Sequence, residues 1–222
     1  MAVAFIDLAE TCAPAVAVET LAAVVSLESN FQPFNIRINS DLPLDRQPKS
    51  KAEAIETAAR LVAEHQDIQL GLGGVGIEEL NKLNLTISDA FDPCLNLKAT
   101  ATLLDGYYRL AMRAGAASEQ AKHVMLQSYY GRSDPSVGQM VRYDEQVQRE
   151  AERLSGGLAT LTIGRGAEQP TPLKDQATSP SSDGKAGLPQ EWTTQAPSWD
   201  VFNVARRSSA LVFQNDQPEQ PE

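Results

Sequence analysis

The residue in this sequence best placed to do chemistry is Glu28. It stands four positions after Val24 and three after Val25, in a run from about Val16 to Ser29 where Leu21, Val24 and Val25 recur at helical spacing. An ionisable side chain that completes an apolar stripe is desolvated. Desolvation disfavours the carboxylate and raises its pKa, as a general acid working near neutral pH requires. The same spacing also fits a glutamate at a helix end that turns outward to water, and position alone does not choose between the two.

The other candidates are fewer. The two cysteines, Cys12 and Cys94, each lie within two residues of a proline where a helix is expected to start. A pair of buried thiols and a staple between helix termini both satisfy that pattern. His65 and His123 are too few and too isolated for a metal site, so neither metal nor cofactor is expected. The glycines Gly71, Gly73, Gly74 and Gly76 lack the Gly-Lys-Ser/Thr ending of a phosphate-binding loop.

The elements that must position Glu28 are mostly helical. Pro33 ends the first helix. Residues 35–47 read as loop or short strand. A second helix, Ser50 to His65, opens with the capping-box pattern Ser50-Lys51-Ala52-Glu53 and has Ala54, Ile55, Ala58, Leu61 and Val62 as its buried stripe. Asp67 to Leu70 and the glycines after it form a small strand or a tight loop. A short helical turn is expected from Ser88. Asp92-Pro93 is an N-cap and first-turn pair for a helix reaching about Ala114, with Ala99, Leu103, Tyr107 and Leu110 inward. Helices over Ser118–Tyr130 and about Val137–Leu154 complete the domain.

The formal net charge of -10 argues against nucleic acid, whose phosphates call for a Lys/Arg surface, and suits anionic lipid headgroups poorly. A neutral glycan or a protein partner remains compatible. No apolar run approaches the length of a membrane span. Residues 1–13 lack a basic start and contain Asp7 and Glu10, so they do not read as a signal peptide. More than half of the thirteen prolines lie after Gly166. The expected organisation is a globular domain over 1–156 and a Pro/Ser/Gln-rich disordered tail over 157–222. Within that tail the apolar segment 199–213, from Trp199 to Phe213, reads as a docking site for a partner.

Glu28-Ser29-Asn30-Phe31-Gln32-Pro33-Phe34-Asn35-Ile36 resembles the catalytic motif of the soluble and goose-type-lysozyme-like lytic transglycosylases. Cys12-Ala13-Pro14 with the Val16–Val24 run, Phe91-Asp92-Pro93-Cys94 with Asn96-Leu97, and Tyr143, Val147, Ala151 and Leu154 are similar to the branch serving type IV secretion and conjugation. The resemblance covers roughly residues 5–155. It implies a mainly α, lysozyme-like domain with a very small strand region and a glycan cleft. It also implies cleavage of the MurNAc–GlcNAc bond of peptidoglycan to a 1,6-anhydro product, with Glu28 as the single essential carboxylate. No second carboxylate is needed, so Asp41, Asp45 and Asp67 are not promoted to nucleophile. Ser29, Gly71, Leu72 and Tyr129 are the implied substrate-side residues, Tyr129 orienting Glu28 through its hydroxyl. An exported domain of this kind implies a periplasmic location, a Cys12–Cys94 disulfide, and secretion-system subunits as partners of the tail.

The chain departs from the family pattern around the cleft. Gly74 and Gly76 stand where that pattern has glutamine and asparagine, Glu79 where it has a further asparagine, and Tyr130 where it has the asparagine of a Tyr-Asn pair. The departures leave a second reading open: a weak or inactive peptidoglycan-binding assembly factor. A water-using muramidase is a third. If the glycine at 74 only weakens sugar contacts, Gly74→Gln is expected to raise turnover.

Overall fold

A central helix and a small twisted sheet fix the position of Glu28, and both follow from their residues. The computed structural model describes residues 3–39 and 43–164. Helix α1 (Phe5–Cys12) is followed by α2 (Val18–Ser29), β1 (Ile36–Ile38), α3 (Lys51–Ala63), β2 (Ile68–Leu70) and β3 (Val75–Gly76). The remaining helices are α4 (Ile77–Lys82), α5 (Ile87–Ala90), α6 (Pro93–Arg113), α7 (Ser118–Tyr130), α8 (Pro135–Met140) and α9 (Tyr143–Leu154). The domain is mainly helical with one three-stranded sheet, as expected.

Leu21, Ala22, Ala23, Val24 and Val25 are all fully buried, so α2 is enclosed on every side over these five residues and is the core helix of the domain. Its small and branched side chains let α1, α6 and α9 pack closely around it. It ends where Asn30 (φ 49°) and Phe31 (φ 60°) turn left-handed, which drops Phe31 edge-on against Phe5 at 5.3 Å.

The sheet order is β1-β2-β3, antiparallel throughout, pairing Arg37 with Gln69 and Gln69 with Gly76. Period-2 alternation gives it two unlike faces. Ile36, Ile38, Ile68, Leu70 and Val75 pack with α3 into an apolar cluster. Arg37, Gln69 and Gly76 form a row on the opposite face.

Several helix details differ from expectation for local reasons. Ser50 accepts from the Glu53 amide at 3.3 Å, but the Glu53 carboxylate takes the Lys49 amide instead of closing the box on Ser50. Helix α6 starts as expected, with the Asp92 carboxylate accepting from the Leu95 amide at 3.0 Å. Of its expected inner residues Ala99 is buried and Leu103 and Tyr107 pack against the core, but the buried face is wider, adding Asn96, Leu97, Thr100, Ala101 and Leu104, and Leu110 is 58% exposed. The helix expected over Val137–Leu154 is two helices. Arg142 (φ 51°) breaks it, and the break puts Tyr143 in the first turn of α9, directed inward.

Cys12 and Cys94 are disulfide-bonded, their Cα atoms 5.3 Å apart. Cys12 closes α1 where a helix start was expected, and Cys94 lies in the first turn of α6, so the bond ties those two helix ends together. After α9 the chain returns to α1. The Phe5 amide donates to the Leu161 carbonyl at 2.9 Å, and the Ile163 amide to the Val3 carbonyl at 3.0 Å. Among the described residues, no helix is long and apolar enough to cross a membrane. The expected docking segment 199–213 lies outside the described residues.

Candidate active site

Glu28 occupies the last turn of α2, and its side chain is only 3% exposed. The outward-turned reading is therefore excluded. Two partners hold its carboxyl group. The Tyr143 hydroxyl donates to Oε1 at 2.6 Å, and the Arg37 guanidinium stands 2.9 Å from Oε2. Burial pushes the Glu28 pKa up; the Arg37 charge and then the Tyr143 hydrogen bond pull against it without cancelling it. The outcome is a carboxyl group biased toward its proton, with a cation and a hydroxyl already in place for the carboxylate.

The chain beneath Glu28 is fixed by a network of buried hydrogen bonds. Ser29 Oγ donates to the Leu72 carbonyl at 2.7 Å and lies 3.0 Å from the Val25 carbonyl. Ser29 therefore clamps the glycine loop to α2. Gly71 is left-handed (φ 74°), and a Cβ there would meet the Ala90 carbonyl at 2.3 Å, so only glycine fits. Leu72 is buried in the core with Leu97 and Phe31. Asn96 Nδ2 donates to the carbonyls of Leu70 (3.0 Å) and Ala90 (2.8 Å), and its Oδ1 accepts from the Gly73 amide at 2.8 Å. The Tyr129 hydroxyl donates to the Gly73 carbonyl at 2.6 Å. Tyr129 thus holds the loop, and the hydroxyl on Glu28 is supplied by Tyr143.

Gly74 is the closest point of that loop to the acid. It is left-handed (φ 65°), and a Cβ on it would lie 2.8 Å from Glu28 Oε2. The missing side chain is what allows the buried carboxyl group and the loop to coexist. A glutamine at 74 would strain the backbone and press on Glu28, which reverses the expectation that Gly74→Gln raises turnover.

Beyond Arg37 a groove of about 450 Å³ opens, lined by Arg37, Asn39, Asp67, Gln69, Tyr130 and Arg132, among others. Arg132 pairs with Asp67 at 2.7 Å, so Asp67 is tied to a cation at the rim, and Asp45 lies outside this lining. At the Gly76 end of the sheet row lies Glu79, its side chain 5% exposed. Glu79 Oε2 has no hydrogen-bond partner, and the nearest cation, Lys82 Nζ, is 3.7 Å from Oε1. A second cavity of about 470 Å³, between α2, α6, α7 and α9, contains the His123–Asp144 pair but not Glu28. Among the described residues, no cluster of His, Cys, Asp and Glu is arranged to hold a metal ion.

Sequence reasoning located Glu28 and its loop but missed Arg37, Gln69 and the contact made by Tyr143. The signal for Arg37 was present: Ile36-Arg37-Ile38 alternates, which in a short strand puts the arginine on the polar face. Nothing local points Tyr143 at Glu28, because the contact spans 115 residues and depends on the break at Arg142.

Comparison with known proteins gives relatives of one kind. The chain is 41% identical over 129 residues to the type IV secretion system protein virB1 of Brucella abortus biovar 1 (strain 9-941), covering 58% of this chain and 54% of that protein. It is 28% identical over 209 residues to protein virB1 of Agrobacterium fabrum, covering 92% of this chain and 73% of that protein. It is 30% identical over 158 residues to protein virB1 of Rhizobium radiobacter, covering 69% and 63%. The chain spans about half the length of the Brucella relatives it matches. No protein-family model and no solved structure matches it.

Proposed function

We infer that this chain, a homologue of the virB1 proteins of type IV secretion systems, is a lytic transglycosylase that opens peptidoglycan locally for such an apparatus. The observation that carries the reading is one buried glutamate, biased toward its proton and flanked by Tyr143 and by Arg37, which itself lines a groove.

The reaction needs a group that gives a proton and then takes one back. Glu28 delivers its proton to the oxygen linking N-acetylmuramic acid to N-acetylglucosamine as the C1–O bond breaks. The substrate's acetamido carbonyl stabilises the cationic C1. Glu28 is now a carboxylate in a buried site, and the Arg37 charge and the Tyr143 hydroxyl stabilise it during that interval. As the C6 oxygen closes on C1, Glu28 accepts the proton of the C6 hydroxyl. The product is a 1,6-anhydro sugar, no water is consumed, and the enzyme returns to its starting state.

The Cys12–Cys94 disulfide fits an oxidising compartment and supports a periplasmic site of action. The catalytic domain would be completed by the tail, whose segment 199–213 would recruit apparatus subunits. One observation favours the alternative of a binding and assembly module. Gly74 and Gly76 offer a sugar no side-chain donors, and each such lost hydrogen bond costs about 1 kcal/mol. Mass spectrometry of the muropeptides released when the whole chain is incubated with purified peptidoglycan separates the two. 1,6-Anhydro products are expected. Retention of peptidoglycan with no released product at any pH between about 4 and 8 would make the chain a binding module.

A further inference from the structure

The groove beyond Arg37 is cationic on a chain that is acidic. Its charged lining is two arginines, Arg37 and Arg132, and one carboxylate, Asp67, whereas the whole chain carries a formal net charge of -10. The two arginine side chains are 37% and 26% exposed, so solvent and salt screen them less than arginines on an open surface.

The described residues hold each guanidinium through one nitrogen. Arg37 uses Nη2 for both Glu28 and Gln69, and Arg132 uses Nη1 for Asp67 at 2.7 Å. A guanidinium has five N–H donors in a planar fork, which leaves most of each fork for a ligand. The counter-charges are incomplete as well. Glu28 is biased toward its proton, and Asp67 offers Arg132 one oxygen only, since its other accepts from Asn39 Nδ2 at 3.1 Å.

The turn after α7 aims Arg132 into this groove. Arg132 and Ser133 are both left-handed (φ 51° and 87°), a conformation that residues with a side chain rarely adopt. The Ser133 amide on the Ser128 carbonyl at 2.9 Å and the Asp134 amide on the Gly131 carbonyl at 3.1 Å hold the turn closed. Arg132 Cζ then stands 3.6 Å from where a Cβ on Gly76 would lie, over the open backbone of β3. Backbone strain of this kind collects at ligand-binding positions.

We propose that Arg132 and Arg37 form an anion subsite for a carboxylate carried on the muramic acid, and that this contact sets which sugar of the alternating strand is presented to Glu28. It rests on the transglycosylase reading above, which identifies the ligand as peptidoglycan. N-acetylglucosamine is neutral. Muramic acid differs from it by a lactyl ether on C3, which ends in a free carboxylate or in a stem peptide with carboxylates of its own. Two guanidinium forks lining one groove suit bidentate contact with such a group. Arg37 belongs to both the groove and the Glu28 pair, so an anion seated there is one side chain away from the acid.

The test is calorimetric titration of the whole chain with three disaccharides of N-acetylglucosamine and N-acetylmuramic acid, each ending at muramic C1 and so without the bond to be cut. One has the free lactyl carboxylate, one has L-alanyl-D-glutamic acid attached to it, and one is the neutral lactyl carboxamide. The wild type should bind at least one carboxylate probe about ten-fold or more tightly than the carboxamide, the tighter of the two identifying the source of the anion. Arg132→Gln should abolish most of that preference and leave carboxamide binding unchanged. Asp67→Asn should tighten carboxylate binding, because it removes the competing charge and can still accept from Asn39. Equal affinities for all three probes, or no measurable binding of any, overturn the subsite. So does a preference that persists in folded Arg132→Gln, or an Asp67→Asn variant that weakens all three alike, as a purely structural role would. Release of 1,6-anhydro product from purified peptidoglycan by the same preparation is the separate check. Its presence with unselective binding leaves the transglycosylase reading standing, and its absence with selective binding sinks that reading and keeps the subsite.

Discussion

The hydroxyl of Tyr143 donates to Glu28 Oε1 at 2.6 Å, across 115 residues of sequence, while Arg37 stands 2.9 Å from Oε2. Both contacts favour the carboxylate over the acid, yet burial outweighs them and the Glu28 pKa is raised. Removing either one should raise it further. Tyr143→Phe should move the alkaline limb of the kcat/KM profile to higher pH and lower kcat by about ten-fold or more, the worth of a hydrogen bond to a charged group. Arg37→Met should move the limb further, because its charge is the larger of the two effects. A pH–rate profile of each variant checks the order. Limbs that stay in place would mean both residues only support the fold.

Gly74→Gln should impair the enzyme. The residue must hold φ near 65°, which costs a side-chain-bearing residue about 1–3 kcal/mol, and its Cβ would lie 2.8 Å from Glu28 Oε2. Thermal melting and turnover should both fall. A gain in turnover would show that the loop yields to the side chain.

The same burial links Glu28 to stability. Its folded pKa lies above the unfolded value, so its contribution is fully present below about pH 4.5 and is lost as pH rises through the raised folded value. Glu28→Gln removes that loss. The variant should melt above the wild type at pH 7–8, and the difference should close toward pH 4. A difference independent of pH would place the ionisation of Glu28 outside the folding equilibrium.

The disulfide joins residues 82 apart, closing a large loop that includes α2 and the whole sheet. Its reduction should cost about 3–5 kcal/mol, or on the order of 10 °C in melting temperature. Paired melts with and without reductant measure it. No change would mean that packing of α1 on α6 suffices by itself.

Features set by neighbouring residues were readable in the sequence, and those set by distant ones were not. The Asp92-Pro93 start of α6, the Ser50 cap and the apolar stripe of α2 depend on spacing within a turn or two. On α6, Ala99 is buried as expected but the polar residues Asn96 and Thr100 also belong inside, which the apolar pattern did not show: Asn96 satisfies backbone groups of Leu70, Gly73 and Ala90. The break at Arg142 was invisible because no proline or glycine marks it. Without that break Tyr143 could not be aimed at Glu28, and the orienting hydroxyl was assigned to Tyr129. The glycines at 74 and 76 read as losses of polar lining, because only the fold reveals the carboxylates that fill the space they leave.

The most direct measurement is release of 1,6-anhydromuropeptides by the wild type and by Glu28→Gln from the same purified peptidoglycan. Glutamine keeps the shape and can still accept from Tyr143, but it has no proton to give. The wild type should form anhydro product, and the folded variant should bind the glycan and form about a hundred- to ten-thousand-fold less. Anhydro product at wild-type rates from Glu28→Gln would contradict the assignment of Glu28 as the acid.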